Sequence, residues 1–504
     1  MKDIVLVGIN ARYTHTSFGL RYLLANLHEY TQNATILEFA IGSQSDALSE
    51  EILNYQPKII GIGVYIWNAR DVHNLIEILK KISPHTKIVL GGPEVSHKPF
   101  RINWQYADYI IQGEGEISFY NLCKEILTNT PPQQKVIKAI IPTLTELTLP
   151  YKYYSDHDIA HRYIYVEASR GCPFECEFCL SAIDERVRGF EMHKLLQSFE
   201  ELWQKGARSF KFIDRTFNLN IKLAIQLIDF FLQKDEPYTL HFEVIPDNFP
   251  QRLKEYIKRF PPGSLQLEIG IQTLNENILN NINRRMNLTK VEENIRFLEN
   301  ETHAHIHLDL IIGLPGESVE SFANNLNKLK TMTTSEIQIG ILKKLSGTTL
   351  DRHDKQYNMI YSDTPPYEIL QNDFISFAKL QKLKRFSRFW DLTYNSGNFF
   401  HTINYLWEKK NVYDGFYAFS EWIYTQTQST WQISLMRLSE LLFRYLTEEL
   451  QYDKTKIADN MIEDIIKIEG RKVPGILQKY TSHIPNLKRK AMQKHQKRQI
   501  LRES

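Results

Sequence analysis

Three cysteines place the strongest constraint on this chain, because they lie within eight positions of one predicted loop. Cys172, Cys176 and Cys179 are three of the four cysteines among 504 residues. The aromatic and branched residues of 162–170 predict a strand, and Gly171 and Pro173 end it. A tight group of thiols in a chain that otherwise hardly uses cysteine indicates a metal or cluster site rather than disulfides.

The spacing C-x-x-x-C-x-x-C allows one short loop to hold three corners of an iron-sulfur cube and leaves the fourth iron open. A structural zinc site needs four closed ligands, and the remaining cysteine, Cys123, lies far upstream in a predicted helix. Zinc would have to recruit a residue such as His193, and three unrelated buried cysteines are the other alternative. The open cluster is the favoured interpretation.

With Phe178 before the last cysteine, this loop resembles the signature of the radical S-adenosylmethionine (SAM) superfamily. The resemblance implies that Cys172, Cys176 and Cys179 bind a 4Fe-4S cluster whose open iron chelates SAM. It also implies that one electron splits SAM into methionine and a 5'-deoxyadenosyl radical, with the protein positioning the cofactors. A small electron donor such as flavodoxin or ferredoxin is the expected partner.

Residues 161–350 repeat a strand followed by a helix six times, which predicts an open, partial (β/α)6 barrel. Polar residues recur at the strand ends. Because an unpaired carboxylate is costly inside a core, these residues are expected to line a cavity, with an ordinary salt bridge as the alternative for each. The resemblance implies that Asp214, Glu243 and Gln272 contact the cofactor and that Leu342, on the sixth strand, packs near its adenine.

Residues 1–135 alternate short apolar strands with helices, which predicts a doubly wound, Rossmann-like parallel sheet with its ligand site beyond the strand ends. The stretch GGPEV, followed some twenty residues later by GEGE, resembles the cobalamin-binding domain fused ahead of certain radical SAM enzymes. The cobalamin contacts that follow from this resemblance are Thr14, Ser17, Val64, Tyr65, Gly91, Gly92, Glu94, Gly113 and Glu114.

The first loop departs from the D-x-H-x-x-G motif of cobalamin proteins that bind cobalt through a histidine. Gly19 follows His15 one position too late, and Tyr13 replaces the aspartate. We therefore expect His15 to be a loop residue beside the corrin rather than a cobalt ligand. A dinucleotide or flavin site is the structural alternative, but the loop lacks G-x-G-x-x-G.

Residues 136–160 are rich in proline and predict a linker, while 351–504 predict an all-helical third domain. Its aromatic stripes are typical of a core, although Trp390, Tyr394 and Asn395 are candidates for substrate selection. The basic tail at 487–504 predicts a solvated end, with RNA or another anionic partner as the alternative.

A net charge of +2 and 42% hydrophobic residues are typical of a globular protein and give no indication of nucleic acid. The apolar runs are too short for a signal peptide or a membrane helix, so we expect a cytoplasmic protein without membrane partners. The resemblance implies a cobalamin-dependent radical SAM enzyme that transfers a methyl group to an unactivated carbon of an unknown small or macromolecular substrate. Three alternatives stay open: a cyclase or rearrangement enzyme resembling the anaerobic Mg-protoporphyrin monomethyl ester cyclase, an RNA-modifying radical SAM enzyme, and a noncatalytic sensor.

Overall fold

A computed structural model of the chain describes residues 2–468 and 471–481, so the basic tail at 487–504 lies outside the described residues. The chain divides into two compact units. The first comprises Met1–Glu243, Lys343–Arg352 and Tyr361–Glu368, and the second comprises Val244–Leu342, His353–Ile360 and Ile369–Ser504.

The first unit begins with a parallel six-stranded sheet in the order β2-β1-β3-β4-β5-β6. Its central strand, β1, is buried along its whole length, as expected for a parallel strand covered on both faces. Val136–Lys138 pairs with its neighbour, so the predicted linker starts with a strand. The strands are β1 (Ile4–Asn10), β2 (Ala34–Ala40), β3 (Ile59–Gly63), β4 (Lys87–Gly91), β5 (Tyr109–Gln112) and β6 (Val136–Lys138), and the helices are α1 (Phe18–Ala25), α2 (Ser45–Leu53), α3 (Ala69–Ile82) and α4 (Glu116–Leu127).

The first unit continues through α5 (Asp156–His161) into three parallel strands, β7 (Ile164–Val166), β10 (Ser209–Phe212) and β11 (Thr239–Val244). Strand β10 pairs with β7 on one side and with β11 on the other. Helices α6 (Met192–Gln204) and α7 (Ile221–Leu232) separate them. Two very short strands, β8 (Ser169–Arg170) and β9 (Arg188–Gly189), pair antiparallel and close the base of the cysteine loop.

The second unit contributes three more parallel strands, β12 (Leu265–Gln272), β13 (His305–Ile312) and β14 (Glu336–Ile341). Buried and partly buried residues alternate strictly along β12 and β13, so each strand has one apolar face and one polar face. The polar face carries Gln272, as the strand-end prediction requires. The intervening helices are α8 (Gln251–Ile257), α9 (Glu276–Asn281), α10 (Leu288–Glu301) and α11 (Val319–Lys330).

The helical region starts later than predicted, at Phe377, because two short strands, β15 (Ile360–Tyr361) and β16 (Ile369–Gln371), come first. Within the described residues, no helix is long and apolar enough to span a membrane. The helices are α12 (Phe377–Trp390), α13 (Val412–Thr427), α14 (Leu435–Arg444), α15 (Lys454–Ile466) and α16 (Gly475–Gln478).

Three of the candidates for substrate selection instead cover strand β14. Asn395 accepts a hydrogen bond from the backbone N–H of Ile337 at 3.0 Å and donates one to its carbonyl oxygen at 3.0 Å. Trp390 Nε1 donates to the same carbonyl at 2.9 Å. The hydroxyl of Tyr394 donates to the backbone carbonyl oxygen of Thr334 at 2.8 Å. Trp390 and Asn395 thus satisfy backbone groups of β14, and Tyr394 satisfies a carbonyl just before the strand.

Replacing Asn395 with Ala should lower the free energy of unfolding by about 1–3 kcal/mol, because the buried N–H of Ile337 loses its acceptor. Urea unfolding of the full chain measures the change. Asn404→Ala is the matched control, since that amide is exposed and bonds locally to Phe400, and its effect should stay within about 0.5 kcal/mol. Equal effects of the two variants would show that Asn395 does not secure the strand.

Candidate functional site

The first unit contains a cavity of about 680 Å³ at the carboxyl ends of its strands. One wall is formed by the ends of β1, β3, β4 and β5, and the other by residues of the cysteine-loop region and of β7. Tyr165, Glu167 and Ile213 line it on the side of the second set of strands. The cavity therefore joins the ends of the two parallel sets of strands in this unit. Its glycines are Gly19, Gly61, Gly63, Gly91, Gly92, Gly113, Gly115 and Gly171.

Glycine is required at Gly92 for two reasons. Its φ of +105° lies in the left-handed region, and a Cβ would stand 2.6 Å from the carbonyl oxygen of Val64. At Gly91 the reason is different, because a Cβ there would meet nothing nearer than the carbonyl oxygen of Ile111 at 3.9 Å. Gly91 thus keeps part of the cavity empty rather than relieving a backbone clash.

The rim of the cavity holds a buried group of charges centred on Arg170. Its guanidinium contacts Glu114 at 2.6 Å, Glu116 at 2.8 Å and Glu167 at 2.9 Å. Burial opposes the charge on Arg170, but Glu167 and Glu116 outweigh it and raise the pKa of this arginine. Burial also raises the pKa of Glu167, against the opposing effect of Arg170.

Arg188 adds a second contact to the same carboxylate. Arg170 and Arg188 are paired residues of the β8–β9 ladder, and both bind Glu114 of the GEGE loop. Arg188 also contacts Asp184 at 3.0 Å. The base of the cysteine loop is therefore attached to the loop that follows β5.

His15 lines the cavity, and its Nδ1 lies 2.5 Å from the hydroxyl of Tyr165. Burial, followed by the charges of Lys211 and Arg12, lowers the pKa of His15 and keeps the ring neutral near neutral pH. The nearby Ser17 hydroxyl donates to Asn10 at 2.8 Å.

The three cysteines lie on the loop between β8 and β9. Cys172 and Cys176 are buried and Cys179 is partly buried, and none of the three forms a disulfide. The loop is folded by two backbone hydrogen bonds, from Cys172 to Asp184 at 2.9 Å and from Cys179 to Cys176 at 3.0 Å.

Among the described residues, no group of three or more histidine, cysteine or carboxylate side chains is arranged to hold a single metal ion. An iron-sulfur cluster binds each thiolate at a separate iron, so its ligands need not converge on one point. Three soft thiol donors on one loop fit such a cluster, and Phe178 is partly buried beside the last of them.

Asp214 at the end of β10 supports the strand end that leads into this loop. Its carboxylate accepts hydrogen bonds from the backbone of Ala168 at 2.9 Å and from the hydroxyl of Ser169 at 2.6 Å. Burial raises the pKa of Asp214 to about 7, and the neighbouring Glu167 adds to the shift. The Asp214 side chain thus fixes the backbone at residues 168 and 169, and its contact with the cofactor stays a prediction.

The structure brings together six of the nine predicted cobalamin residues. Those that line the cavity are Ser17, Tyr65, Gly91, Gly92, Gly113 and Glu114. Thr14, Val64 and Glu94 are not among the lining residues. Thr14 is exposed, Val64 is fully buried with its N–H bonded to Gly91, and the Glu94 carboxylate accepts a hydrogen bond from Tyr367.

The predicted SAM residues have varied surroundings. In the first unit, Glu243 forms an ion pair with Arg215 at 2.6 Å. In the second unit, Leu342 is buried, and Gln272 has a φ of +68° at a bulge in β12. The side-chain oxygen of Gln272 is buried without a hydrogen-bond partner in the described part of the chain. Such an orphaned acceptor is expected where a ligand supplies the donor.

Sequence reasoning identified Glu114 on the rim but missed Arg170, Glu167 and Glu116. The signal was a concentration of charge at apolar strand ends, since Glu167 and Arg170 follow the strand that precedes the cysteines and Glu116 ends GEGE. Composition does not reveal which of these charges pair. Their partners are apparent only once the two loops are folded.

Three family descriptions match consecutive parts of the chain. Residues 4–122 match the B12 binding domain, residues 166–329 match the radical SAM superfamily, and residues 355–504 match a protein of unknown function (DUF4080). The fold and the site thus define a B12-binding domain followed by a radical SAM domain.

Relatives share this combination. The chain is 25% identical to the uncharacterized methyltransferase PH0819 of Pyrococcus horikoshii, over 67% of this chain and 78% of that protein. It is 25% identical to the cobalamin-dependent radical SAM methyltransferase TokK of Streptomyces tokunonensis, over 54% of this chain and 45% of TokK. The chain therefore spans less than half the length of TokK.

A solved structure shares the fold. The cobalamin-dependent SAM radical enzyme OxsB, with aqua-cobalamin and SAM bound, superposes with a TM-score of 0.60 at 13% identity. The superposition covers 92% of this chain and 78% of OxsB. The two domain matches and this superposition confirm the predicted combination of a B12-binding domain with a radical SAM domain and the predicted fold class.

Asp214→Asn should alter the pH dependence of stability. Between pH 3.8 and about 7 the unfolded carboxyl ionises while the folded one stays protonated, so the wild type loses stability as the pH rises through this window. The asparagine variant lacks this loss. Its free energy of unfolding relative to the wild type should therefore rise from pH 4 to about pH 7 and then level off, as measured by urea unfolding at several pH values. A difference that does not change with pH would contradict the buried, protonated state.

Proposed function

We propose that the protein is a cobalamin-dependent radical SAM methyltransferase that methylates an unactivated carbon. The observation that carries this proposal is one continuous cavity in the first unit, which is lined both by the glycine-rich strand ends of the B12-binding domain and by residues of the first radical SAM strands. A methyl donor bound among the glycines would face Tyr165, Glu167 and Ile213 without a wall of protein between them.

The lining of the cavity fits a large ligand that is both apolar and polar. Gly91 and Gly92 allow close approach to the backbone, while Asn10, Ser17 and Glu114 supply polar groups. His15 is neutral, and its Nδ1 is occupied by Tyr165, which supports the expectation of a histidine beside the corrin. When bound, cobalamin would supply the methyl group and the cluster the electron that cleaves SAM.

The thiols of Cys172, Cys176 and Cys179 are the residues that would hold the cluster, and Gln272 supports a SAM site in the second unit. Glu243 and Leu342 stay proposed contacts of the same cofactor. A bound SAM amino group or hydroxyl would satisfy the buried Gln272 oxygen, which explains why it is left without a protein donor.

Methyl transfer is favoured over the alternatives by the names of the relatives. PH0819 and TokK are both described as methyltransferases. The cyclase or rearrangement reaction remains the second candidate, since cofactor sites alone do not determine the outcome at the substrate. A flavodoxin or ferredoxin is the proposed electron donor, and the reducing cytoplasm, in which free thiols persist, is the proposed location.

Product analysis tests the reaction. The protein is reconstituted anaerobically with iron, sulfide and cobalamin and is then given SAM, a strong reductant and cell extract, with products measured by mass spectrometry. We expect 5'-deoxyadenosine and S-adenosylhomocysteine to accumulate together when extract is present. Accumulation of 5'-deoxyadenosine alone would instead favour the cyclase or rearrangement reaction.

Cys176→Ala should remove the cluster and abolish both products, because two thiolates do not hold the cube, while cobalamin binding persists. Iron and cobalamin contents of the purified variant are the measurements. The control is Cys123→Ala, since this cysteine lies buried in α4, away from the cluster loop. A full iron content in Cys176→Ala would contradict the assignment of the cluster.

Filling the cavity tests the cobalamin site at a single position. Gly91→Phe should weaken cobalamin binding at least about tenfold, since the ring occupies space that the ligand needs. Gly91→Ala is the matched control, because its methyl group makes no contact closer than 3.9 Å. Absorbance titration with cobalamin measures both variants. Equal, wild-type affinity in the two would place cobalamin elsewhere.

A further inference from the structure

A segment that follows the last radical SAM strand folds with the first unit rather than the second. Its two parts are Lys343–Arg352 and Tyr361–Glu368, which we call the strap. An antiparallel bridge joins Lys343 to Glu368, and the N–H of Lys344 donates to the carbonyl oxygen of Tyr367 at 3.0 Å. These backbone contacts hold the two parts of the strap side by side.

One part of the strap contacts the loop that follows β4 in the B12-binding domain. Tyr367 is fully buried, and its hydroxyl donates to the carboxylate of Glu94. Arg101 lies over the Tyr367 ring at 4.2 Å. Burial raises the pKa of Glu94, against the opposing hydrogen bond from Tyr367 and the charge of Arg101. The Glu94 side chain thus contacts the strap and does not line the cavity.

The loop that Glu94 belongs to also forms the cavity wall. Gly92, two residues earlier, lines the cavity, and its carbonyl oxygen accepts from the hydroxyl of Ser96 at 2.9 Å. The Ser96 hydroxyl in turn accepts from the N–H of Gly113 at 3.2 Å. A displacement of Glu94 is therefore transmitted to the two glycines that border the cobalamin site.

The other part of the strap contacts the cysteine loop. Arg352 forms an ion pair with Glu177, which lies between Cys176 and Phe178. The Glu177 side chain is 3% exposed, whereas that of Arg352 is 57% exposed. A buried carboxylate depends strongly on its cation, so this pair fixes the position of the loop more than an exposed pair does. Gly347, five residues before Arg352 in the strap, packs so closely that a Cβ would stand 2.4 Å from the ring of His97.

We propose that the strap couples the two cofactor sites, with Tyr367 and Arg352 as positioning residues for the cobalamin loop and the cluster loop. The inference rests on the proposed function, since it concerns the same two sites. Each anchor holds a buried carboxylate of a different loop, and the backbone contacts of the strap join the anchors. SAM binding at the cluster therefore strengthens cobalamin binding, and cobalamin strengthens SAM binding by the same factor.

The experiment measures cobalamin affinity by absorbance titration of the cluster-loaded full chain, with and without SAM. In the wild type we expect SAM to tighten cobalamin binding by at least about fivefold. Tyr367→Phe keeps the ring under Arg101 and loses the hydroxyl, and Arg352→Gln loses the ion pair. In both variants the factor by which SAM tightens cobalamin binding should fall towards one. The reciprocal effect of cobalamin on SAM affinity should fall equally.

One control separates coupling from general damage. Asp351→Asn alters the same segment by weakening the ion pair between Lys344 and the exposed Asp351, and it touches neither cofactor loop. It should keep the wild-type factor by which SAM tightens cobalamin binding.

The coupling would be overturned if SAM did not change the cobalamin affinity of the wild type. It would also be overturned if the variants bound both ligands more weakly but SAM still tightened cobalamin binding by the wild-type factor. The proposed function has a separate readout, because SAM bound to the open iron alters the electron paramagnetic resonance spectrum of the reduced cluster. If the wild type shows neither this change nor cobalamin uptake, the proposed function fails and the strap proposal fails with it.

Discussion

The buried contacts of Arg170 with three carboxylates are the interaction on which the arrangement of the first unit depends. Glu114 and Glu116 come from the B12-binding domain, Glu167 ends a radical SAM strand, and Arg170 begins the cysteine loop. Removing the Arg170 guanidinium would leave buried carboxylates without their cation, at a cost of about 3–5 kcal/mol. The two domains therefore meet at a charged centre with little freedom to shift, and the cavity beside it keeps its shape.

The sequence predicted the fold well because its strands and helices are strongly patterned. The apolar runs of β1, β3 and β4 and the strict alternation of β12 and β13 identify parallel strands without tertiary information. The site was predicted in part. Glycines such as Gly91 and Gly92 are visible as a motif, whereas the hydrogen bond between Glu94 and Tyr367, which lie 273 positions apart, is not. Pairings at such separations leave no local signal.

The aromatic residues of the last region show the same limit of local pattern. The pattern favoured a core for Trp390, Tyr394 and Asn395 and left a substrate site as the alternative. Their hydrogen bonds to β14 and to the residue Thr334 before it place them in the core of the second unit, where a short π-helix at Asp391–Asn395 presents the asparagine to the strand. Strand β14 lies at the edge of its sheet, and an edge strand exposes backbone groups that no neighbouring strand pairs. Here side chains form hydrogen bonds with such groups at Ile337.

The antiparallel pair β8–β9 has a consequence for how the iron-sulfur site is assembled. It closes residues 171–187 into a loop whose two ends are joined by backbone pairing. A closed chain loses less conformational entropy than an open one when three thiolates are tied to one cube. Binding of the proposed cluster should therefore resemble chelation by a preorganised ligand.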